Sequence, residues 1–69
     1  MWIRSQDRKI LTEVHDLYID DVNQIWNGLL LGKYSSEEKA LLVLDMIEKV
    51  AMYSGNTLFQ MPADDEVEV

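Results

Sequence analysis

The first third of the chain alternates short apolar and polar stretches in a way that predicts β-strands. Residues 2–6, WIRSQ, alternate with the period of two that is typical of a half-buried strand. Residues 10–19 are ambiguous, because their apolar positions also fit helical spacing. The β-branched and aromatic residues of this segment, and the lack of a helix cap at either end, favour a strand. A helix at 9–19 is the alternative that the pattern leaves open.

The dipeptide Asn27-Gly28 lies between two apolar runs and predicts a β-hairpin. Both residues tolerate positive φ, so this pair is the strongest short-range signal for a two-residue turn. We therefore predict strands at 23–26 and 29–34. A further short strand is expected in the stretch TLFQM at residues 57–61, after the helix.

One long helix is predicted from Ser35 onward. Ser35 and Glu38 have the spacing of a capping box, and Gly55 supplies a stop signal. At 100° per residue, the apolar residues between these signals cluster on one stripe, which we expect to pack on a sheet. The stripe consists of Ala40, Leu42, Val43, Leu44, Met46, Ile47, Val50, Ala51 and Tyr53.

The pattern as a whole predicts a single small α+β domain over residues 1–62. We expect an antiparallel sheet of four to five strands packed against one long helix, in the order β-β-β-β-α-β. The last seven residues, 63–69, are rich in acidic residues and poor in apolar ones, so they are predicted to form a disordered acidic tail.

Composition and charge narrow the classes of function. The 69-residue chain has 13 acidic and 6 basic residues and a net charge of −7, which argues against nucleic acid and membrane partners, since both require clustered Lys and Arg. Without cysteine there is no disulfide, no thiolate zinc site and no cysteine nucleophile. No apolar run approaches the roughly 18 residues of a membrane span, and the first residues lack a signal-peptide core. We expect a cytoplasmic protein.

Catalytic and ligand motifs are weak. The stretch around Gly28 and Gly32 suggests a phosphate-binding loop, but the two glycines are four apart where the motif needs five, so a plain strand-to-helix junction is favoured. His15, the single histidine, has no plausible nucleophile to activate. Asp20-Asp21 lacks the spacing of a calcium loop. We predict a protein that is not an enzyme, with no cofactor and no metal.

The leading hypothesis for function is a protein-interaction module. Leu41 and Met52 fall among charged residues on the polar face of the predicted helix, and Leu42 lies at the edge of the apolar stripe. Exposed apolar side chains extend a contact surface beyond the core, so these three residues are the predicted surface for a protein partner or for a homodimer.

Two alternatives belong to other classes. Arg4, Ser5 and Gln6 are polar residues in a predicted strand, and they suggest a site for a small molecule or an anion that the protein would sequester. The acidity of the chain suggests a mimic of DNA that inhibits a DNA-binding enzyme. A mimic needs carboxylates in rows on a rigid surface, whereas these acidic residues are scattered or lie in the predicted tail.

Three blocks of sequence also carry a resemblance. They are IRSQD at 3–7, LGKYSSEEKALLVLDMI at 31–47 and FQMP at 59–62. With these blocks the chain resembles a family of short proteins without an assigned activity from low-GC Gram-positive bacteria, often from their prophages and mobile elements. Residues 8–30 and the acidic tail match nothing specific. The resemblance implies an accessory cytoplasmic protein without catalytic or cofactor residues, and it is compatible with a polar site at residues 4–7.

Overall fold

The computed structural model describes residues 1–53 and 57–69, and these residues form an α+β domain. Its elements are, in chain order, β1 (Trp2–Arg4), β2 (Leu11–Glu13), β3 (Tyr18–Ile19), β4 (Gln24–Trp26), β5 (Leu30–Lys33), α1 (Glu37–Tyr53), β6 (Leu58–Gln60) and a short 3-10 helix (Asp64–Glu66). The predicted class is confirmed. The single sheet of four to five strands is wrong, because the six described strands form two sheets of three.

The first sheet has the strand order β2-β1-β6. β1 pairs with β2 in antiparallel orientation and with β6 in parallel orientation, so the sheet is not purely antiparallel as predicted. Parallel neighbours need a long crossover connection, and here everything from β2 to α1 lies between the two strands. Ile3 is fully buried at the centre, between Thr12 and Phe59.

The second sheet is an antiparallel meander with the strand order β3-β4-β5. Its central residue, Ile25, is fully buried and pairs with Ile19 and Gly32. An aspartate fixes the turn that precedes β4. The Asp20 carboxylate accepts hydrogen bonds from the backbone N–H groups of Val22 and Gln24 and from the Trp26 indole N–H.

The hairpin at Asn27-Gly28 is present, but the predicted two-residue turn is wrong. Trp26 pairs with Leu30, which leaves three residues in the connection and shifts the register between β4 and β5. Gly28 has a φ of 93°, whereas Asn27 does not adopt positive φ. The double positive φ of the two-residue turn is therefore absent, and a looser turn with an irregular register replaces it.

Residues 9–19 contain no helix, which settles the ambiguity in favour of strands. The segment breaks into β2 and β3, and these strands belong to different sheets. Val14, directly after β2, is buried, and its N–H donates to the carbonyl of Met1. The chain bends at residues 14–17 and crosses from the first sheet to the second.

The helix begins one residue later than the capping box predicts. The Ser36 hydroxyl oxygen accepts a hydrogen bond of 3.1 Å from the N–H of Lys39. Ser36 is therefore the N-cap, and the third helical position carries lysine instead of the predicted glutamate. Gly55, the predicted stop, lies outside the described residues.

The buried stripe of α1 is narrower than predicted. Ala40, Val43 and Ile47 are buried in the core, while Leu42, Leu44 and Val50 are half-buried. The remaining members of the predicted stripe, Met46, Ala51 and Tyr53, are exposed. Because the two sheets are small, they cover only part of the apolar stripe that a single broad sheet would have buried.

The acidic tail is folded, so the prediction of a disordered segment is wrong. Val67 is only 6% exposed and belongs to the core. Asp64 accepts a 2.7 Å hydrogen bond from the N–H of Ser35 and forms an ion pair of 3.4 Å with Lys39. The hydrogen bond from Ser35, with the nearby Lys39, lowers the pKa of Asp64. One apolar anchor and one acidic contact to the start of the helix hold the tail on the domain.

Candidate functional site

Ser5, one of the predicted ligand residues, is buried and satisfied within the protein. Its hydroxyl donates to Asp7 and accepts a hydrogen bond from the N–H of Ile10. The hydrogen bond from Ser5, followed by that from the N–H of Lys9, lowers the pKa of Asp7. These contacts fix the turn between β1 and β2, and burial keeps the Ser5 hydroxyl away from solvent.

Gln6 joins the two sheets. Its backbone N–H donates to the Leu31 carbonyl at 2.7 Å. Its side-chain Oε1 accepts from the N–H of Lys33, and its Nε2 donates to the Lys33 carbonyl, both at 2.9 Å. The side-chain amide thus behaves like a peptide group of an added strand at the edge of β5. Both polar atoms of the Gln6 side chain are therefore engaged in hydrogen bonds within the protein.

Arg4 is the third predicted ligand residue, and it belongs to strand β1. It is half-buried in β1, between Leu11 and Gln60 of the neighbouring strands. Its Nε is buried without a hydrogen-bond partner among the described residues. Because Ser5 is buried, the side chains of Arg4, Ser5 and Gln6 do not form one open site.

Three stretches of the chain, residues 3–7, 31–47 and 59–62, meet in one hydrogen-bond cluster. The side-chain amide of Gln60 donates to the Ser5 carbonyl at 3.0 Å. Gln6 Nε2 and the Tyr34 hydroxyl both donate to the Pro62 carbonyl, at 3.2 and 2.8 Å. Burial, with the nearby carboxylates of the tail, raises the pKa of Tyr34, so its phenol remains a donor. These hydrogen bonds tie the three stretches together within the domain.

Glycine is required in β5 beside this cluster. A Cβ atom added to Gly32 would lie 3.0 Å from the Tyr34 ring and 3.2 Å from the Met61 methyl group. Such contacts are tighter than most Cβ contacts, so a side chain at residue 32 would require the Tyr34 ring and the Met61 methyl group to shift by a few tenths of an ångström. This position in the glycine-containing stretch is explained by close packing and not by phosphate binding.

The predicted partner surface on α1 is exposed at two of its three residues. Leu41 and Met52 are 48% and 68% exposed, as expected, while Leu42 is half-buried against the core. Leu41 and Met52 are about 16 Å apart along the helix axis, with Asp45 and Lys49 between them on the solvent side. Charged residues therefore separate Leu41 from Met52 along this side of the helix.

A continuous exposed apolar surface lies on the outer face of the first sheet. Trp2, Leu11 and Leu58 are 43%, 53% and 58% exposed. Trp2 is directly opposite Leu58 in the register, and Leu11 is opposite Arg4, two residues along β1 from Trp2. Residues at these register positions share one face of a sheet and touch across neighbouring strands. We call Trp2, Arg4, Leu11, Glu13 and Leu58 the outer sheet face.

This face carries one cation and one anion. Arg4 is the central charged residue, and Glu13 is paired with Trp2 in the register. In the part of the chain that the structure describes, the ion pair is Lys39–Asp64, and neither Arg4 nor Glu13 takes part in one. The outer sheet face therefore combines three apolar side chains with two opposite charges that have no partner within the described chain.

Sequence reasoning missed this face. The alternation of residues 2–6 indicates that Trp2 and Arg4 share a side of their strand, which is a usable signal. Leu11 and Leu58 join them only through the pairing of β1 with β2 and β6. That pairing has no local signal in the sequence.

Other chemistry is sparse. His15 is exposed, and no group of three or more His, Asp or Glu side chains that could hold a metal ion occurs within residues 1–53 and 57–69. The same residues contain no helix long and apolar enough to cross a bilayer.

Comparisons of the chain with family models, with curated proteins and with solved structures gave no match.

Proposed function

We propose that the protein is a non-enzymatic interaction module that assembles with a second copy of itself through the outer sheet face. The observation that carries this proposal is the continuous exposed surface of Trp2, Leu11 and Leu58, with an unpaired Arg4 and an unpaired Glu13 on the same face. Tryptophan and arginine near the centre of a patch are the residue types most enriched among binding hot spots.

The charges favour a second copy as the occupant. In a two-fold symmetric contact, each residue pair occurs twice, with the roles of the two copies exchanged. Arg4 of one copy then faces Glu13 of the other, and the reverse pair forms at the same time. The outer sheet face is thus complementary to itself in charge, while its apolar side chains cover each other.

The size of the outer sheet face sets the expected affinity of the dimer. A standard stable interface buries about 800 Å² on each partner. Three strands of three residues present a smaller surface, so we expect a dimer that dissociates on dilution. The predicted helix surface of Leu41, Leu42 and Met52 is the competing contact. On the exposed side of α1 three acidic residues, Glu38, Asp45 and Glu48, outnumber one lysine, Lys49, so two copies of this surface carry a net repulsion.

A charge exchange tests the proposal. Sedimentation velocity over a wide concentration range gives the dimer dissociation constant of the wild type, of Arg4→Glu, of Glu13→Arg and of the double variant. Each single change places like charges opposite each other, and we expect about tenfold weaker association, equivalent to about 1.4 kcal/mol. The double variant restores opposite charges and should recover most of the affinity.

Apolar variants locate the contact. Leu58→Asp should abolish the dimer, whereas Val22→Asp adds the same charge to an exposed residue of the β3–β4 turn and should not change it. Leu41→Asp tests the helix surface in the same way. If Leu41→Asp disrupts the dimer and Leu58→Asp does not, the outer sheet face is rejected as the dimer contact. A wild type that stays monomeric at all concentrations would reject self-association altogether.

A further inference from the structure

A cavity of about 370 Å³ opens between the two sheets, away from the hydrogen-bond cluster around Ser5 and Gln6. Its lining comes from the end of β2, the crossing segment, the start of β3 and the turn after β4. The lining residues are Glu13, His15, Asp16, Tyr18 and Asn27. Every one of them carries a polar group, in contrast to the apolar core on the inner faces of the sheets.

The polar side chains of this cavity are not used by the fold. In the part of the chain that the structure describes, none of the five side chains makes a hydrogen bond or an ion pair, and Glu13 accepts from the Thr12 hydroxyl only through its backbone carbonyl. Asn27 Oδ1 is buried and has no partner there. A buried carbonyl oxygen without a donor is unfavourable. Asp7 and Asp20 show the opposite behaviour, because their carboxylates are committed to turns.

The charges of the lining select a cation. Glu13 and Asp16 supply two carboxylates, and no Lys or Arg is among the lining residues. Tyr18 is exposed over about half of its surface and offers an aromatic ring. Bound metal ions require several ligands that converge on one point, and no such group occurs in the described residues. An organic cation matches the lining better than a metal ion does.

Among organic cations, the guanidinium group fits these residues best. It is planar, it donates several hydrogen bonds in fixed directions to carboxylates, and it stacks on aromatic rings. Asn27 Oδ1 is buried, and it can accept a further N–H once its side chain turns toward the ligand. We infer that the cavity of Glu13, Asp16, Tyr18 and Asn27 is a binding site for a guanidinium group.

The guanidinium can come from two sources. A free arginine-like molecule is one source. Arg4 of a second copy is the other, since Glu13 borders both the cavity and the outer sheet face. Both sources present the same group to the same carboxylates, and the site is defined by that group.

Titration with blocked arginine tests the inference. The probe is N-acetyl-arginine methylamide, and its control is the citrulline analogue, which has the same shape without the charge. Amide chemical shifts should change at residues 13–18 and at the Asn27 side chain, and citrulline should bind at least about tenfold more weakly because it cannot pair with carboxylates. Glu13→Gln with Asp16→Asn should weaken arginine binding at least about tenfold. Asp45→Asn, which neutralises an exposed helix residue, should leave it unchanged.

A second experiment distinguishes the two sources of the guanidinium group. Blocked arginine that dissociates the wild-type dimer identifies Arg4 of the second copy as the occupant. Blocked arginine that binds the wild type without affecting the dimer, and binds Leu58→Asp equally well, identifies a free ligand. Equal binding of arginine and citrulline, full binding by the Glu13→Gln, Asp16→Asn variant, or shifts spread over the whole surface would overturn the inference. Sedimentation velocity without blocked arginine tests independently whether the dimer forms.

Discussion

The two sheets each place one fully buried isoleucine at the centre of the core, but they recruit its neighbours from different distances along the chain. Ile25 pairs with residues 19 and 32, all within a local meander. Ile3 pairs with residues 12 and 59, so its sheet closes only when segments far apart in the chain meet. Bringing distant segments together costs more conformational entropy. The second sheet, β3-β4-β5, needs only contacts between neighbouring segments, and we call it the local sheet. The first sheet, β2-β1-β6, needs β6 from the far end of the chain, and we call it the long-range sheet.

The turns of the two sheets differ in a similar way. Asp7 and Asp20 each fix a turn that also contains a residue with positive φ, Arg8 at 70° and Asn23 at 63°. Asparagine adopts this conformation readily, and arginine does not. The turn of the local sheet is therefore relaxed, and the turn of the long-range sheet is strained.

The largest expected effect comes from truncating the two central isoleucines. Ile3→Ala and Ile25→Ala should each lower the free energy of unfolding by about 2–5 kcal/mol, because each leaves a cavity in the core. Their kinetics should differ. Ile25→Ala should mainly slow folding, since the local sheet forms early, while Ile3→Ala should mainly accelerate unfolding.

Stopped-flow folding in urea measures both rates. If the alanine variants do not fold, Ile3→Val and Ile25→Val provide the same comparison. Each valine variant should lower the free energy of unfolding by about 1 kcal/mol. A larger loss of folding rate for the change at Ile3 than for the change at Ile25 would show that the long-range sheet forms first.

Removing residues 63–69 should have the next largest effect. The deletion exposes the surface that Val67 covers and leaves the N–H of Ser35 without the Asp64 carboxylate. Burial of a valine is worth about 1.5–3 kcal/mol, so urea titration should show a loss of about 2 kcal/mol. Deletion of the exposed residues 68–69 alone is the control and should cost less than about 0.5 kcal/mol. An equally small loss for the full deletion would mean that the tail does not dock.

Gln6→Ala breaks the link between the sheets. It removes both side-chain hydrogen bonds to Lys33, and we expect a loss of about 1–2 kcal/mol in urea titration. Gln24→Ala removes an amide that makes no side-chain hydrogen bond within residues 1–53 and 57–69, so it serves as the matched control. Equal stability of the two variants would show that the side-chain amide of Gln6 adds nothing to the backbone hydrogen bond with Leu31 and to the core in holding the sheets together.

Arg8→Gly relieves the strained turn of the long-range sheet. Left-handed backbone costs a non-glycine residue about 1–2 kcal/mol, and the added flexibility of the unfolded chain offsets about 0.4–1 kcal/mol of the gain. We expect thermal and urea unfolding to show a net stabilisation of about 0.5 kcal/mol. Asn23→Gly in the local sheet should give no such gain, and a stabilisation of that variant equal to Arg8→Gly would remove the distinction between the turns.

The smallest expected effect is a loss of folding stability at low pH. Hydrogen bonds from Ser5 and Lys9 lower the pKa of Asp7. Burial raises the pKa of Asp20, but hydrogen bonds from Gln24, Trp26 and Val22 outweigh it and lower the pKa overall. A lowered carboxyl pKa contributes stability that is complete above the unfolded value, about pH 4, and is lost as pH falls through the lower folded value.

Urea midpoints measured from pH 6 downward should therefore fall only below about pH 4. Asp7→Asn and Asp20→Asn should each flatten this decline. Since Asp20 binds three donors of the local sheet, its variant should flatten the decline more. An unchanged decline in both variants would assign the acid sensitivity to other carboxylates.

The parts of the fold that the sequence predicts are those with local signals. The β4–β5 hairpin follows from its turn dipeptide, and the helix follows from its serine start and apolar spacing, with the cap displaced by one residue to Ser36. The parallel pairing of β1 with β6 has no local signal, because it depends on the compatibility of two distant strands. The docking of Val67 was missed because a single apolar residue in an acidic segment does not distinguish an anchor from a solvated tail.

The same limit applies to the candidate sites. Polar residues at Ser5 and Gln6 stand out in a strand pattern, but only the structure shows that their groups are satisfied internally. Exposure of Leu41 and Met52 follows from helical spacing and is confirmed. The outer sheet face and the cavity each combine residues from several strands and turns, so their composition depends on tertiary pairing.

The position of the Gln6 amide has a consequence for solubility. An unpaired strand edge is a template on which other chains can add strands and begin to aggregate. Gln6 occupies the N–H and the carbonyl of Lys33 at the outer edge of β5. A side chain thereby protects this edge from intermolecular strand addition, and the other described strands, of two or three residues, are too short to template it well.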